Sequence, residues 1–146
     1  MISVKVIAHR GFSTKSPENT LAGFQLALEL GAAGIELDVH LSKDQHIVVC
    51  HDEKVDRTTD GKGLITALTI EELKTLDAGS WYAPNYTGEK NPCLSEVLDI
   101  VKGSEKVVNI ELKNAIIDYP NLEKEVVTLV QQYDMDDQVI ISSFNL

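Results

Sequence analysis

The sequence has few of the features that mark secreted or membrane-bound proteins. Its only cysteines, Cys50 and Cys93, form neither a CxxC pair nor a dense framework, which indicates reduced thiols in an intracellular protein. No apolar run approaches the about 18 residues that cross a bilayer, and residues 1–7 lack the basic and apolar regions of a secretory signal. We therefore expect a cytoplasmic protein without stable membrane insertion.

Positive charge is also scarce. The 146 residues include 13 Lys+Arg and 23 Asp+Glu, a formal net charge of −10. This charge repels nucleic acids and anionic membrane surfaces, so neither is an expected partner. A small phosphate substrate is still compatible with the sequence, because one local Arg or Lys together with a metal ion reverses the local field.

Three common catalytic motifs are absent. The sequence contains no GxxxxGK[ST], no GxGxxG and no GxSxG, so P-loop ATP hydrolysis, dinucleotide redox chemistry and serine-hydrolase chemistry lose their usual support. A hydrophobic fraction of 43% with 25% charged residues suits one soluble domain. The length falls short of the about 250 residues typical of a complete (β/α)8 barrel.

Strand-like and helix-like segments alternate along the chain. We predict strands over residues 4–8, 34–41, 47–50, 107–112 and 139–142, and helices from Asn19 or Thr20 to Gly31, after the Thr69–Glu72 capping box, over 95–102 and over 121–133. Residues from about 52 to 93 are expected to form an irregular insertion. The alternation predicts an α/β fold with a mainly parallel sheet.

The end of the chain does not complete this pattern. A parallel strand normally leads into a covering helix, and none follows the last predicted strand. We therefore expect residues 1–146 to form one domain that is truncated at its C-terminus. An open sheet edge of this kind favours association, so we expect a tendency to form homo-oligomers.

Charged residues gather near the ends of the predicted strands, where functional groups of parallel sheets collect. Arg10 follows the first strand and Lys113 follows the strand over 107–112. A planar guanidinium and an ammonium group both suit a phosphoryl group, which makes the two residues candidate phosphate ligands. A role in surface solubility is the alternative.

Three carboxylates are predicted to share one face of the sheet. Glu36 and Asp38 are two residues apart on a strand and therefore point to the same side, and Glu111 lies on a nearby strand. Two such carboxylates alone are as easily a solvated acidic face. Three carboxylates without a thiolate suit a hard divalent cation, Mg²⁺ or Ca²⁺, better than zinc.

A hairpin is predicted to bring a histidine to these carboxylates. A two-residue turn with Asp44 and Gln45 at its tip pairs Asp38 with His51, and directly opposed residues project to the same face. His9, after the first strand, would then complete an acid/base pair with His51.

Two other histidines receive no functional role. A single histidine is most often an ordinary side chain with satisfied hydrogen bonds, and we interpret His40 and His46 in this way. His40 nevertheless shares the face of Glu36 and Asp38.

Ordered motifs along nearly the whole chain resemble the glycerophosphodiester phosphodiesterase family, within the superfamily of phosphatidylinositol-phospholipase-C-like phosphodiesterases. The main matching segments are His9-Arg10-Gly11, Pro17-Glu18-Asn19-Thr20, Glu36-Leu37-Asp38-Val39, His51-Asp52, Arg57-Thr58-Thr59-Asp60-Gly61 and Ile110-Glu111-Leu112-Lys113. The resemblance implies a TIM-barrel scaffold with a small insertion, of which this chain would hold the N-terminal part, about five strands.

The resemblance also implies an activity and its residues. Members of the family hydrolyse glycerophosphodiesters, with a divalent cation, to sn-glycerol 3-phosphate and an alcohol. The implied roles are cation binding by Glu36, Asp38 and Glu111, general base and general acid catalysis by His9 and His51, a phosphate clamp of Arg10 and Lys113, and ordering of the site or substrate contact by Glu18 and Asn19.

Two alternatives to this activity stay open at the level of sequence. A lysophospholipase D would need an apolar channel for an acyl tail, and an aromatic content of 5% gives no sign of one. A truncated, catalytically incompetent chain that only binds metal or a partner is the second alternative. For the 146-residue chain alone we expect weak or absent activity.

Overall fold

The computed structural model describes residues 3–145, which form a sheet with four α-helices around it. The strands are β1 (Ile7–His9), β2 (Gly34–Leu41), β3 (Ile47–Val49), β4 (Val107–Leu112) and β5 (Val139–Ser143). The helices are α1 (Leu21–Glu29), α2 (Ile70–Thr75), α3 (Leu94–Val101) and α4 (Leu122–Gln132). The predicted elements are present, with boundaries that differ by a few residues.

Four of the strands form a parallel path in the order β1-β2-β4-β5, and β3 pairs with β2 in the antiparallel sense off this path. Helix α1 connects β1 to β2, and α4 connects β4 to β5. The parallel register sets Asp38 beside Glu111, and Glu111 beside Ser142. The predicted α/β architecture with a mainly parallel sheet is confirmed.

Strand β2 lies at the centre of the molecule, and all eight of its residues are buried. The side chains alternate along it. One face carries the apolar residues Ile35, Leu37, Val39 and Leu41, which belong to the main hydrophobic core. The other face carries Glu36, Asp38 and His40, which are also buried. A strand that is buried on both faces thus holds two carboxylates away from bulk water.

The helix starts agree only in part with the sequence signals. Thr20 caps α1, and the Thr69–Glu72 capping box before α2 is complete. Asn121 occupies the N-cap position of α4, but it has a left-handed backbone (φ 70°) and its side chain makes no capping hydrogen bond. The N–H of Glu125 donates instead to the backbone carbonyl of Asn121, at 2.9 Å.

The predicted two-residue hairpin turn is wrong by one residue. The N–H of Ser42 donates to the carbonyl of His46 at 2.9 Å, so the loop holds the three residues 43–45. Gln45 adopts a left-handed conformation (φ 66°), which is the usual end of a three-residue hairpin loop. Gln45 takes up this conformation although it lacks the freedom of a glycine.

This loop shifts the register between β2 and β3. Val39 pairs with Val49, which sets Asp38 opposite Cys50 and not opposite His51. The N–H of Cys50 donates to the carbonyl of Asp38 at 3.0 Å, and β3 itself ends at Val49. His51 therefore lies beyond the ladder, and its position depends on contacts other than strand pairing.

The expected insertion is largely irregular, with α2 and two 3-10 turns, Ile65–Ala67 and Pro84–Tyr86, inside it. Two of its tyrosines anchor it to the loop after β1. The hydroxyl of Tyr82 donates to the carbonyl of Thr14, and that of Tyr86 donates to the carbonyl of Lys15, each at 2.9 Å. The insertion therefore packs next to the loop that carries Glu18 and Asn19.

The outer strands β1 and β5 have one paired side each within residues 3–145. Exposed apolar residues accompany them, among them Val6 near β1 and Ile140 and Phe144 near β5. Cys50 and Cys93 are both free. No helix in the described part of the chain is long and apolar enough to cross a membrane. The cytoplasmic location and the homo-oligomeric state stay predictions.

Candidate active site

The three predicted carboxylates meet on the polar face of the sheet. Glu36 and Asp38 come from β2 and Glu111 comes from β4, and we call these residues the acidic cluster. One oxygen atom from each lies within 4.8 Å of the others. The meeting follows from the sequence, because the alternation of β2 sets two carboxylates on one face and the parallel register adds the third.

The electrostatics of the acidic cluster are unfavourable without a cation. Burial, together with the neighbouring charges of Asp38 and Glu111, raises the pKa of Glu36 to about 7. Burial also raises the pKa of Asp38. Glu36 Oε1 and Asp38 Oδ1 are buried and have no hydrogen-bond partner among residues 3–145. Unpaired buried oxygens are costly, and hard oxygen ligands suit Ca²⁺ or Mg²⁺, so the cluster fits such an ion.

A tight turn at the end of β1 brings Arg10 to the acidic cluster. Arg10 and Gly11 are both left-handed, with φ 56° and φ 80°. A Cβ atom on Gly11 would lie 2.8 Å from the carbonyl carbon of Gly23, so only glycine lets the turn pack directly on α1. The N–H of Arg10 donates to Glu36 Oε2 at 3.0 Å.

The side chains of Arg10 and Asn19 reach Asp38 from the same turn region. Asn19 Nδ2 donates to Asp38 Oδ2 at 3.0 Å, and Arg10 Nε lies 3.7 Å from that oxygen. Arg10 Nη1 donates to Glu18 Oε2 at 3.3 Å. Arg10 Nε and Asn19 Oδ1 are buried without a hydrogen-bond partner in the described part of the chain, so one donor and one acceptor are available to a ligand.

The structure places His51 beside the acidic cluster although the expected pairing is wrong. Its Nδ1 donates to Asp52 Oδ1 at 2.8 Å. Its Nε2 lies 3.5 Å from Lys113 Nζ, which in turn lies 3.4 Å from Glu111 Oε1. The Asp52 contact fixes the ring with Nδ1 protonated, so Nε2 faces the cluster.

His9 approaches the cluster from the neighbouring strand. It ends β1, where the register sets it beside Glu36, and its Nε2 lies 3.7 Å from Glu36 Oε2. Its side chain is 67% exposed, so the ring is open to solvent. The two predicted acid/base residues therefore contact different members of the cluster, His9 at Glu36 and His51 through Lys113 at Glu111.

Sequence reasoning assigned no role to Arg57, which the structure shows to be central. Arg57 Nε and Nη2 donate to Asp52 at 2.9 and 3.0 Å, and its Nη1 and Nη2 donate to Glu18 at 2.8 and 3.1 Å. We call Glu18, Asp52 and Arg57 the arginine network. The sequence signal for this network is Asp52, a carboxylate that directly follows His51.

In the arginine network the pKa values of the carboxylates are lowered, whereas in the acidic cluster those of Glu36 and Asp38 are raised. Hydrogen bonds from Arg57 hold the pKa of Asp52 well below its usual range. For Glu18, burial opposes ionisation, but the hydrogen bonds and the charge of Arg57 outweigh it and lower the pKa. These two carboxylates are therefore ionised and already paired.

His40 and His46, the two histidines without an expected functional role, lie in different environments. His46 is half exposed, 3.7 Å from Asp44. His40 is buried, burial lowers its pKa, and both ring nitrogens have partners, namely the Tyr119 hydroxyl and the His51 carbonyl. The prediction of satisfied hydrogen bonds is confirmed for His40, but the contact with His51 was not foreseen.

Fold and site together define an α/β protein with a mainly parallel sheet, whose polar residues collect toward the carboxyl ends of parallel strands, as in (β/α)8 barrels. The model of the glycerophosphoryl diester phosphodiesterase family matches residues 9–146. The chain belongs to this family.

Individual relatives agree with this assignment. The glycerophosphodiester phosphodiesterase of Caldanaerobacter subterraneus subsp. tengcongensis is 51% identical over 140 residues, which are 96% of this chain and 58% of that protein. A glycerophosphodiester phosphodiesterase structure from Agrobacterium tumefaciens matches with a TM-score of 0.90 and 38% identity, over 98% of this chain and 59% of that one.

A third relative was solved with a bound molecule. The structure of an Oleispira antarctica phosphodiesterase in complex with the product sn-glycerol-3-phosphate matches with a TM-score of 0.87 and 41% identity, over 97% of this chain and 58% of that one. The chain thus spans somewhat more than half the length of these three proteins. The expectation of a partial barrel is confirmed.

Proposed function

We propose that this chain carries the cation site and the acid/base residues for hydrolysis of glycerophosphodiesters to sn-glycerol 3-phosphate and an alcohol. The observation that carries the proposal is the acidic cluster, whose unpaired buried oxygens lie next to Arg10 and Lys113 and within reach of two histidines. The names of the relatives and the product bound to the Oleispira protein support the substrate class.

The residues that would hold the cation are Glu36, Asp38 and Glu111. They offer carboxylate oxygens only, the ligands that both Ca²⁺ and Mg²⁺ prefer. When bound, the cation supplies Lewis-acid stabilisation of negative charge on the phosphoryl oxygens.

Two cationic side chains have donors that a phosphate group would satisfy. Within residues 3–145, Arg10 Nε is buried and makes no hydrogen bond, and Lys113 Nζ has long contacts of 3.4 and 3.5 Å to Glu111 and His51. Charge-assisted hydrogen bonds from both would orient the phosphodiester and stabilise the charge that develops on it.

The histidines would move the protons. His9 would remove a proton from the nucleophile, either water or the glycerol 2-hydroxyl of the substrate, as its oxygen attacks phosphorus. With the 2-hydroxyl as nucleophile a cyclic phosphodiester would form first, and water would then open its ring to give sn-glycerol 3-phosphate. His51, oriented through Asp52, would donate a proton from Nε2 to the alkoxide that leaves as the ester bond breaks. Asp52 thus acts on the ring of His51 without touching the substrate.

The test measures release of sn-glycerol 3-phosphate from glycerophosphocholine, with lysophosphatidylcholine as the competing substrate. The assay uses the 146-residue chain and a chimera in which it replaces the matching 58% of the Caldanaerobacter relative. We expect turnover by the chimera, loss of turnover on EDTA treatment, and loss in His51→Ala. A silent chimera beside an active relative would contradict the function, and undiminished activity in EDTA would contradict the cation.

A preference for lysophosphatidylcholine would replace the proposed substrate class with that of a lysophospholipase D. A near-wild-type rate in His51→Ala would remove the acid role from this residue. His46→Ala is the matched control, since His46 is half exposed, pairs with Asp44 and has no contact with the acidic cluster. We expect it to retain the rate of the unmodified chimera.

A further inference from the structure

His51 has an unusual support for a residue that follows a strand. The ladder between β2 and β3 ends at Val49, and the N–H of Cys50 makes the last hydrogen bond to β2. The carbonyl of His51 accepts instead from the side chain of His40, whose Nε2 lies 3.0 Å away. At His51, the hydrogen bond from the buried His40 side chain therefore replaces the backbone hydrogen bonds of strand pairing.

The hydrogen bonds of His40 define one tautomer. A backbone carbonyl can only accept, so Nε2 of His40 carries the proton. The other nitrogen, Nδ1, is then the acceptor of the neutral ring, and the Tyr119 hydroxyl donates to it at 2.8 Å. The donors run in one direction, from the hydroxyl of Tyr119 through the His40 ring to the carbonyl of His51.

Two of the three residues in this series of hydrogen bonds, His40 and Tyr119, are enclosed by protein. His40 is fully buried and Tyr119 is 4% exposed. Tyr119 lies between β4 and α4, in the segment that begins with Lys113. The hydrogen bonds from Tyr119 through His40 to His51 therefore connect the segment after β3 to the segment after β4. A displaced His40 would leave the buried Tyr119 hydroxyl and the partly buried His51 carbonyl without these hydrogen bonds, and this cost opposes a shift of His51.

We propose that His40 is a positioning residue for His51, with Tyr119 as its anchor. The proposal rests on the proposed function of His51 in proton transfer. Asp52 orients the ring of His51 and His40 holds its backbone, so the direction of Nε2 toward Lys113 depends on both. His40 itself does not contact the substrate in this scheme.

Three variants separate positioning from general stability. His40→Leu removes both hydrogen bonds, His40→Gln keeps an amide N–H where Nε2 donates, and Tyr119→Phe removes only the anchoring hydroxyl. In the 146-residue chain we monitor the Nδ1 proton resonance of His51 by NMR. We expect this resonance to be lost or broadened in His40→Leu, retained in His40→Gln and shifted in Tyr119→Phe. An unchanged resonance in both His40→Leu and Tyr119→Phe would overturn the proposal.

Turnover of the chimera gives the second readout. Removing a supporting hydrogen bond of a catalytic group typically costs roughly 10–100-fold in activity, so we expect a fall of that order in kcat for His40→Leu, with KM within about twofold. His40→Gln should restore most of it. A fall in His40→Leu that His40→Gln does not rescue, or a change in KM alone, would contradict positioning.

The same experiments distinguish this proposal from the function on which it rests. A His51→Ala chimera that keeps its rate overturns the acid role, whatever the NMR spectrum of His40→Leu shows. A His51→Ala chimera that loses its rate beside a fully active His40→Leu chimera overturns only the positioning role. Folding is checked in each variant by the thermal transition, and Tyr119→Phe, which deletes one oxygen atom, serves where His40→Leu does not fold.

Discussion

Two groups of carboxylates lie side by side in this site and behave in opposite ways. In the acidic cluster, burial raises the pKa of Glu36 to about 7 and raises that of Asp38 as well. In the arginine network, Arg57 lowers the pKa of Asp52 and Glu18. The chemical groups are the same, so the difference comes from how closely a cationic side chain approaches them: Arg57 hydrogen-bonds both carboxylates of the network, whereas the cations beside the cluster lie at longer distances.

The difference in pKa distinguishes the acidic cluster, which suits a ligand, from the arginine network, which is structural. Arg57 donates to both of its carboxylates at 2.8–3.1 Å, which leaves little for a ligand to improve. The nearest cationic atoms of the acidic cluster lie farther away, with Arg10 Nε 3.7 Å from Asp38 and Lys113 Nζ 3.4 Å from Glu111. An added cation would therefore act on the cluster and leave the network as it is.

The largest expected effect comes from breaking the acidic cluster. Asp38→Asn should abolish turnover of the chimera and remove the rise in thermal stability that Ca²⁺ gives the wild-type chain. Saturation of a single site at about 100 times Kd adds about 2.7 kcal/mol, or roughly 5–10 °C in Tm for a chain of this size. Thermal unfolding with Ca²⁺ and with EDTA measures this difference.

Glu123→Gln is a matched control for that experiment, because Glu123 is an acidic residue of α4 that bonds Asn114 and lies outside the cluster. It should keep the full Ca²⁺-dependent rise. In EDTA, Asp38→Asn should be no less stable than wild type, since it removes a buried negative charge that burial and the charge of Glu111 already disfavour. An equal Ca²⁺-dependent rise in Asp38→Asn would show that the ion binds elsewhere.

A smaller effect is expected from breaking the arginine network. Arg57→Met removes four hydrogen bonds and leaves Glu18, whose side chain is 10% exposed, with Arg10 as its one cationic partner. Because Arg57 is 45% exposed, solvent screening limits the loss to about 1–2 kcal/mol of unfolding free energy. Urea denaturation measures the loss, and Ca²⁺ affinity should change by less than twofold. A lost Ca²⁺ site would mean that the two groups are not separate.

The smallest expected effect is the pH dependence of the difference in unfolding free energy between wild type and Arg57→Met. A carboxylate with a lowered pKa contributes stability above its unfolded pKa, about 4 for Asp, and loses it as the pH falls further. Arg57 lowers the pKa of Asp52, so the stability gap between wild type and Arg57→Met should shrink as the pH falls from about 5 to about 2. Urea denaturation at several pH values follows the gap, and a gap that widens toward low pH would contradict the pairing.

Much of the acidic cluster could be predicted from the sequence because it depends on short-range rules. A period of two along β2 sets Glu36 and Asp38 on one face, and parallel pairing with β4 brings Glu111 to them. Neither rule depends on loop geometry. The fold class could be predicted for the same reason, since strands and helices alternate along the chain.

The surroundings of His51 could not be predicted in this way. The hairpin register depends on whether Gln45 adopts a left-handed backbone, and the identity of this residue does not determine that conformation. The partners of His51 are side chains that strand pairing does not place beside it. His40 holds its carbonyl, and Arg57 acts through Asp52 from inside the irregular insertion. Pairs that depend on loop conformation leave no periodic signal in the sequence.

Calorimetric titration of the 146-residue chain with Ca²⁺ tests the central claim most directly. We expect one site per chain, competed by Mg²⁺ and absent from a chain that carries Glu36→Gln, Asp38→Asn and Glu111→Gln together. A chain that binds neither ion, or binds with unchanged affinity after the three substitutions, would contradict the assignment of the acidic cluster as a cation site.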